Sequence, residues 1–370
     1  MDGRAFSSPA GGVRRYVSEL YTAITEQHPD VDVVAIGAAR DAAIPARVSR
    51  REAMAFPTNL GWMAASIPLA VRGAALDVYH APAYTAPLWG VHPQVLTIHD
   101  VSYARRPEWN AHRNDPVRRL FYRASALVAD RIVTDSAFSR AEITAAYGIP
   151  ESRIDVVPLA AGRSFTPGAS DPAARAAGVR PPYALHVGDL HVRRNVCTAL
   201  AAVLRARRAH PQTAGLSLVC AGVDRGTGDA LVAQARDAGD GEALTVLGPV
   251  SEPALINLYR GAALLVYPSR YEGFGLPILE AMQCGIPVAG ARAASIPEVI
   301  GDAGILLDEL DVEQWTEAIV RIVTEPLMAA ELSRKSIERA AKYSWERTAR
   351  ETVAAFRAAV AGAEHRRVRP

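Results

Sequence analysis

The chain has 370 residues, of which 49% are hydrophobic and 22% charged, and a formal net charge of +2. That is the balance of a globular protein long enough for two domains, with no charge surplus that calls for nucleic acid. Its three cysteines, Cys197, Cys220 and Cys284, form no C-x-x-C pair. An odd number speaks against a closed disulfide framework, and buried reduced thiols are expected. No stretch approaches the roughly 20 apolar residues of a membrane span. The first residues lack a signal-peptide core, so a cytoplasmic location is expected.

In chain order, short β-branched runs at 31–36, 95–98, 131–134 and 154–157 read as strands. Between them, 14–26, 116–129 and 136–147 have helical character. The last follows Asp135-Ser136, a capping pair, and stops at Gly148 with Pro150 just beyond. Strands alternating with helices predict βαβ units and a parallel sheet. A stretch rich in Gly, Pro and small polar residues at 159–172 is the candidate linker. The alternation then restarts, with strands predicted at 183–187, 216–221, 244–247, 263–267, 286–289 and 304–307. The fold class is therefore α/β, with two Rossmann-like domains at 1–168 and 169–344. A final helix at 345–361 is expected to pack back on the first. Doubly wound sheets bind ligands beyond the carboxyl ends of their strands, and two such domains joined by one linker are expected to face each other across a cleft.

The most informative stretch is Glu272-Gly273-Phe274-Gly275-Leu276-Pro277-Ile278-Leu279-Glu280. It leaves a predicted strand, turns through two glycines and enters a helix whose first turn contains a proline. Backbone N–H groups and a positive helix terminus then meet at the strand's carboxyl edge, a site for anionic oxygens. Glu272 and Glu280 add carboxylates that accept strong hydrogen bonds from paired hydroxyls. The alternative is a helix start decorated with acids to match its dipole. A second constellation, Gly188-Asp189-Leu190-His191-Val192-Arg193-Arg194-Asn195, follows another strand of the same half. Its adjacent arginines can neutralise a diphosphate or form a solvated basic turn. In the first half, Gly11-Gly12 opens a helix, and His99-Asp100 and His80 sit at predicted strand exits. A lone histidine at such a place is often only structural. Asp30-Val31-Asp32 has the form of a metal-binding pair, but it leads into a strand and is set aside.

Glu-Gly-Phe-Gly-Leu-Pro-x-x-Glu resembles the hallmark of retaining GT-B glycosyltransferases of family 4, and the similarity spans essentially the whole chain, including 246–251, 288–299 and 301–308, more loosely in the first 90 residues. The resemblance implies an enzyme that transfers a hexosyl group, with mannosyl as the narrower expectation, from a nucleoside-diphosphate sugar with retention of configuration. It places Glu272 on donor-sugar hydroxyls, Glu280 on the ribose, and Gly273, Phe274, Gly275 and Leu276 beside sugar and phosphate. Val250 is expected at the base, Gly188, Arg193 and Arg194 at the diphosphate, and Gly11 and Gly12 at the donor phosphate. His99 becomes a donor-sugar or acceptor contact, with Asp100 supporting its loop, and His80 is expected to line the acceptor side. Where the family has lysine this chain has Arg194, and Asp189 stands where some relatives carry an arginine. The arginines make a metal unnecessary for the leaving group, and no cofactor is implied.

The acceptor is left open among sugars, polysaccharides, lipid-linked sugars and small molecules. A basic amphipathic run at 113–123 suggests peripheral membrane contact. Family members usually carry a strand before the equivalent of Asp2-Gly3-Arg4, so a first strand is expected to be missing from the N-terminal sheet. That absence raises the alternative of a catalytically impaired sugar-nucleotide-binding protein. A glucan phosphorylase with pyridoxal phosphate is the poorer alternative, because the only lysines, Lys335 and Lys342, lie in the late helical region.

Overall fold

The computed structural model describes residues 1–109, 115–174, 176 and 178–368, and it divides into two compact units. Unit 1 comprises Met1–Leu159 with Ser344–Pro370, and unit 2 is Ala160–Tyr343. The division falls nine residues before the expected 168 because the linker packs as part of unit 2. Phe165 is fully buried with its ring 5.8 Å from Tyr259, and the Arg260 guanidinium donates to the Thr166 carbonyl at 3.0 Å.

In unit 1, β1 (Val33–Ile36) pairs in parallel with β2 (Val48–Arg51). The strands β3 (Tyr79–Ala81), β4 (Gln94–Thr97), β5 (Arg131–Thr134) and β6 (Ile154–Val156) form a parallel sheet in that order. The parallel strands are covered by helices, so β3 and β4 are buried at every position. The core gathers Ile36, Trp62, Ile67, Tyr79, Leu96 and Ile132, each contributing about 1.5–3 kcal/mol through burial. The helix Ala137–Tyr147 is capped as the sequence predicts. Ser136 accepts from the Ser139 amide at 3.0 Å, and Gly148 ends it in the left-handed region. The helix Trp345–Val368 lies against the helix Gly11–Gln27, and its Phe356 ring is 5.1 Å from His80.

Met1 and Asp2 occupy the position between β1 and β3. The Ile36 amide donates to the Met1 carbonyl, and the Asp2 amide donates to the His80 carbonyl at 3.1 Å. Beside them lies a cavity of about 570 Å³ lined by Val33, Val34, Val78 and Phe356 among others. The short strand β2 was not predicted, since four residues leave little periodicity, and β3 was expected only as a strand that ends at His80. One consequence corrects the expectation for His80. It sits inside β3, not at its exit, and its side chain is buried between the Tyr21 hydroxyl, 2.6 Å from Nδ1, and Thr97 Oγ1, 2.8 Å from Nε2. Burial, with the N-terminal amine adding to it, lowers its pKa to about 3, so it is a neutral core residue.

Unit 2 holds a six-stranded parallel sheet in the order β12-β11-β10-β7-β8-β9. Its strands are β7 (Tyr183–Val187), β8 (Ser217–Ala221), β9 (Leu244–Gly248), β10 (Leu264–Tyr267), β11 (Val288–Ala291) and β12 (Ile305–Leu307). The order turns back at β7 and β10, a switch point whose loops open past the carboxyl ends of both strands. Cys220 and Cys284 are buried as expected, but Cys197 is exposed, because it faces outward at the second position of the helix Val196–Ala209.

Gly188 and Gly222, which follow β7 and β8, are in van der Waals contact through their backbones, and a Cβ on Gly222 would overlap the Gly188 carbonyl. Two backbones cannot yield as a flexible side chain does. Gly222→Ala is therefore expected to lower Tm by several degrees in a thermal melt. It should also displace the Gly188 loop, visible as amide shifts at 188–195. An unchanged melt and unchanged amides would show that the loop tolerates the methyl.

Candidate active site

Two loops of unit 2 meet at the switch point. After β7, Gly188 has φ +136°, and the chain runs through a 3₁₀ turn at Val192–Arg194 to Asn195 in the left-handed region. After β10, the chain passes Glu272 and reaches Gly275, whose φ of +114° only glycine adopts readily, and enters the helix Leu276–Gln283. The Arg270 amide donates to the Arg193 carbonyl at 2.9 Å, which ties the loops together. The Arg194 guanidinium crosses the gap and pairs with the Glu272 carboxylate and the Tyr267 hydroxyl, both of them buried. Burial opposes its charge, but Glu272 and Tyr267 more than offset that and hold its pKa above the ordinary value. Arg193, half-buried, lies with Nη1 3.4 Å from the Tyr271 carbonyl.

Two contacts absent from the sequence reading fix the acidic residues. The Tyr259 hydroxyl, fully buried on the helix Glu252–Gly261, donates to Glu280 Oε2 at 2.9 Å. Burial, then the Glu280 charge, push the Tyr259 pKa well up, so it stays a donor. The buried Ser295 hydroxyl lies 3.0 Å from the Glu272 carbonyl and 2.8 Å from the Phe274 carbonyl, pinning both ends of that turn. Tyr259 lies some twenty residues before Glu280, and Ser295 some twenty beyond the loop. Neither carries a local signal. Val250, half-buried, follows β9 at the same edge of the sheet.

In unit 1, Gly11 and Gly12 start the helix Gly11–Gln27 and are exposed, and a Cβ at either would meet nothing within 4 Å. His99 lies just past β4, and its partner is Asp135, whose Oδ2 is 2.8 Å from Nδ1. Asp135 therefore serves the histidine, while Ser136 alone caps the following helix. Asp100 accepts from the Ser102 amide at 2.8 Å and shapes the loop. Tyr16 meets the imidazole edge-on at 4.8 Å. Burial disfavours the imidazolium, but the Asp135 charge and hydrogen bond outweigh it, and the His99 pKa is raised above its usual value. Burial also raises that of Asp135. Among the described residues no group of three or more His, Cys, Asp or Glu side chains is placed to hold a metal ion.

A glycine loop that enters a helix, with flanking arginines and two carboxylates at the switch point of a parallel sheet, has the chemistry to take an anionic, hydroxyl-bearing ligand. Sequence patterns identify the class. The pattern described as Glycosyl transferases group 1 matches residues 181–325, and that described as Glycosyltransferase Family 4 matches residues 10–160. The O-antigen chain mannosyltransferase B of Escherichia coli is 33% identical over 76% of this chain and 74% of its own length. A D-inositol 3-phosphate glycosyltransferase of Mycolicibacterium smegmatis is 32% identical over 76% of this chain and 65% of its own. Among solved structures, sucrose-phosphate synthase from Thermosynechococcus elongatus superposes with a TM-score of 0.76 at 20% identity, covering 98% of each chain. Anabaena HepE, in complex with UDP and glucose, gives 0.69 at 18%, covering 94% of this chain and 95% of its own. The chain belongs to the family 4, group 1 glycosyltransferases, has their GT-B fold, and is a glycosyltransferase.

The His99–Asp135 pair makes a pH prediction. A histidine whose folded pKa is raised contributes stability that is fully present below its unfolded value of about 6.5 and is lost as pH rises through the folded pKa. Asp135→Asn should move the His99 NMR titration midpoint downward. It should also remove the part of the urea-unfolding free energy that fades above pH 6.5. A midpoint unmoved by the substitution would mean that Asp135 does not hold the proton on His99.

Proposed function

We propose that this enzyme transfers a hexosyl group from a nucleoside-diphosphate sugar with retention of configuration and without a metal ion. The observation that carries the reading is the joining of the Arg193–Arg194 loop to the Glu272–Leu276 turn at one sheet edge. In transfer, the bond from the sugar's C1 to the diphosphate oxygen breaks, the acceptor oxygen bonds to C1, and the acceptor's proton leaves with the departing diphosphate. Negative charge grows on that diphosphate, where fixed positive charge lowers the barrier most. Arg193, Arg194 and the amino end of the helix Leu276–Gln283 supply it, which makes a divalent ion unnecessary.

Glu280, held at Oε2 by the Tyr259 hydroxyl, accepts from a ribose hydroxyl. Glu272 exchanges Arg194 for sugar hydroxyls when the diphosphate takes the arginine. Gly188, Gly273, Phe274, Gly275 and Leu276 let the backbone approach the phosphates, Val250 meets the base, and His99 contacts the transferred sugar or the acceptor, with Gly11 and Gly12 closing near the donor phosphate. The 33% identity to an O-antigen chain mannosyltransferase supports a mannosyl donor. The relatives differ in acceptor, one named for an O-antigen chain and the other for D-inositol 3-phosphate.

A peripheral membrane contact belongs to the same reading. Of the run 113–123, residues 113 and 114 lie outside those described. The helix Pro116–Val128 exposes Val117 and Leu120 beside three arginines, a composition suited to an anionic interface. No described helix is long and apolar enough to cross a membrane.

Calorimetry distinguishes the two glutamates. Glu280→Gln removes a charge-assisted hydrogen bond of about 1.5–3 kcal/mol and should weaken both UDP and an intact donor by roughly ten- to a hundredfold. Glu272→Gln frees Arg194 from its carboxylate, so UDP affinity should hold or rise while transfer falls sharply. Equal loss of UDP affinity in both variants would refute this division of roles. Transfer, or slow donor hydrolysis, should also persist in EDTA. Activity abolished by EDTA and restored by magnesium or manganese would overturn the role given to Arg193 and Arg194.

A further inference from the structure

Unit 1 contains a second cavity, of about 520 Å³, beyond the carboxyl ends of β1 and β3. Its floor is a chain of polar groups. Arg4 donates from Nε and Nη2 to the two oxygens of Asp2 at 3.2 and 2.8 Å, and from Nη2 to Asn59 Oδ1 at 2.9 Å. Asn59 Nδ2 in turn donates to Thr85 Oγ1 at 3.0 Å. The guanidinium lies 4.3 Å from the Trp62 ring centre, which fixes it from the far side. Asp2 and Arg4 are the charged residues lining the cavity, and they neutralise each other.

One wall is aromatic. Tyr84 stacks on Tyr122 with ring centres 6.0 Å apart and planes 26° from parallel. Tyr84 adopts φ +58°, a conformation that costs a bulky side chain energy and that persists where surrounding structure enforces it, often at functional sites. The same ring stands edge-on to His99 at 6.0 Å. The strained residue thus joins the cavity to the His99–Asp135 pair.

A pyranose ring has a face of C–H groups and a rim of hydroxyls that both donate and accept. It matches an aromatic wall beside a mixed row of donors and acceptors. A phosphate ester needs uncompensated positive charge, and here the guanidinium is already committed to a carboxylate. We propose that this cavity binds an uncharged pyranose unit of the acceptor, with Tyr84 as its platform and Asn59 and Arg4 on its hydroxyls. The assignment to the acceptor rests on the transfer reaction proposed above. The binding itself does not.

The test is saturation-transfer NMR on the full chain with methyl α-glucopyranoside and methyl α-mannopyranoside, against myo-inositol 1-phosphate, with UDP affinity measured on every sample. At least one uncharged glycoside should bind, with saturation strongest on its ring C–H protons, and the signal should persist from 50 to 500 mM salt as screening leaves an uncharged ligand unaffected. Tyr84→Gly, which keeps the positive φ without strain, should abolish the signal, and the exposed Asn59→Ala should weaken it severalfold, both with UDP affinity unchanged. Binding of the phosphate ester alone, binding of none of the three, or variants that bind the glycoside like wild type would overturn the proposal. Failure of wild-type protein to bind UDP would instead strike at the donor reading and leave the cavity result standing.

Discussion

Unit 2 depends on a buried ion pair. Arg194 and Glu272 come from loops that follow different strands, and both side chains are almost wholly removed from water. Either charge left alone there would cost several kcal/mol, so each loop holds the other in place. The pair also sets a condition on any ligand. A molecule that takes only the arginine strands the carboxylate, and one that takes only the carboxylate strands the arginine. A ligand with anionic oxygens next to hydroxyls replaces both partners at once, and a sugar esterified to a diphosphate has that form.

The groups around the pair are held in place from several sides. Tyr259 saturates one oxygen of Glu280 from behind, and Ser295 anchors the carbonyls on either side of Gly273. The contact between Gly188 and Gly222 leaves no room for the β7 loop to drift. His186 extends the same logic below the site. It stacks on Tyr267 at 6.0 Å, and burial, with Arg194 adding to it, lowers its pKa to about 3. A neutral imidazole is compatible with an arginine so near, where a second cation would not be. Preorganised charge of this kind is what electrostatic catalysis requires, since no reorganisation remains to be done when the bond breaks.

Unit 1 uses a similar economy of charge with different chemistry. Arg4 is neutralised by Asp2, and His99 is held by Asp135, so the groups that face open space are polar but balanced. The two cavities described differ in lining. One lies beside Met1, where valines and Phe356 share the wall with Asp30, Asp32, Asp77 and Arg357, and the other opens past the carboxyl strand ends with hydroxyls, an amide and tyrosine faces.

Much of this was legible in the sequence because it depends on local rules. Alternating strands and helices predicted parallel sheets, Ser136 and Gly148 marked a helix at both ends, and the Glu272–Glu280 string carried the glycine turn into a helix whole, since such a turn is encoded within nine residues. The short strand β2 and the bounds of β3 escaped, and with them the burial of His80, because three or four residues show no period. The partners of the site residues were not readable either. Asp135 looked like a cap, Tyr259 and Ser295 carried no local signal, and nothing local said that Arg194 would face Glu272, 78 positions later. The sequence by itself determined most of the elements, the glycine turn into a helix and the family, because propensity, capping and glycine geometry act over a few residues. Only the tertiary structure decided which charges compensate which, because Coulomb and hydrogen-bond energies in a buried site depend on distances that long-range packing sets.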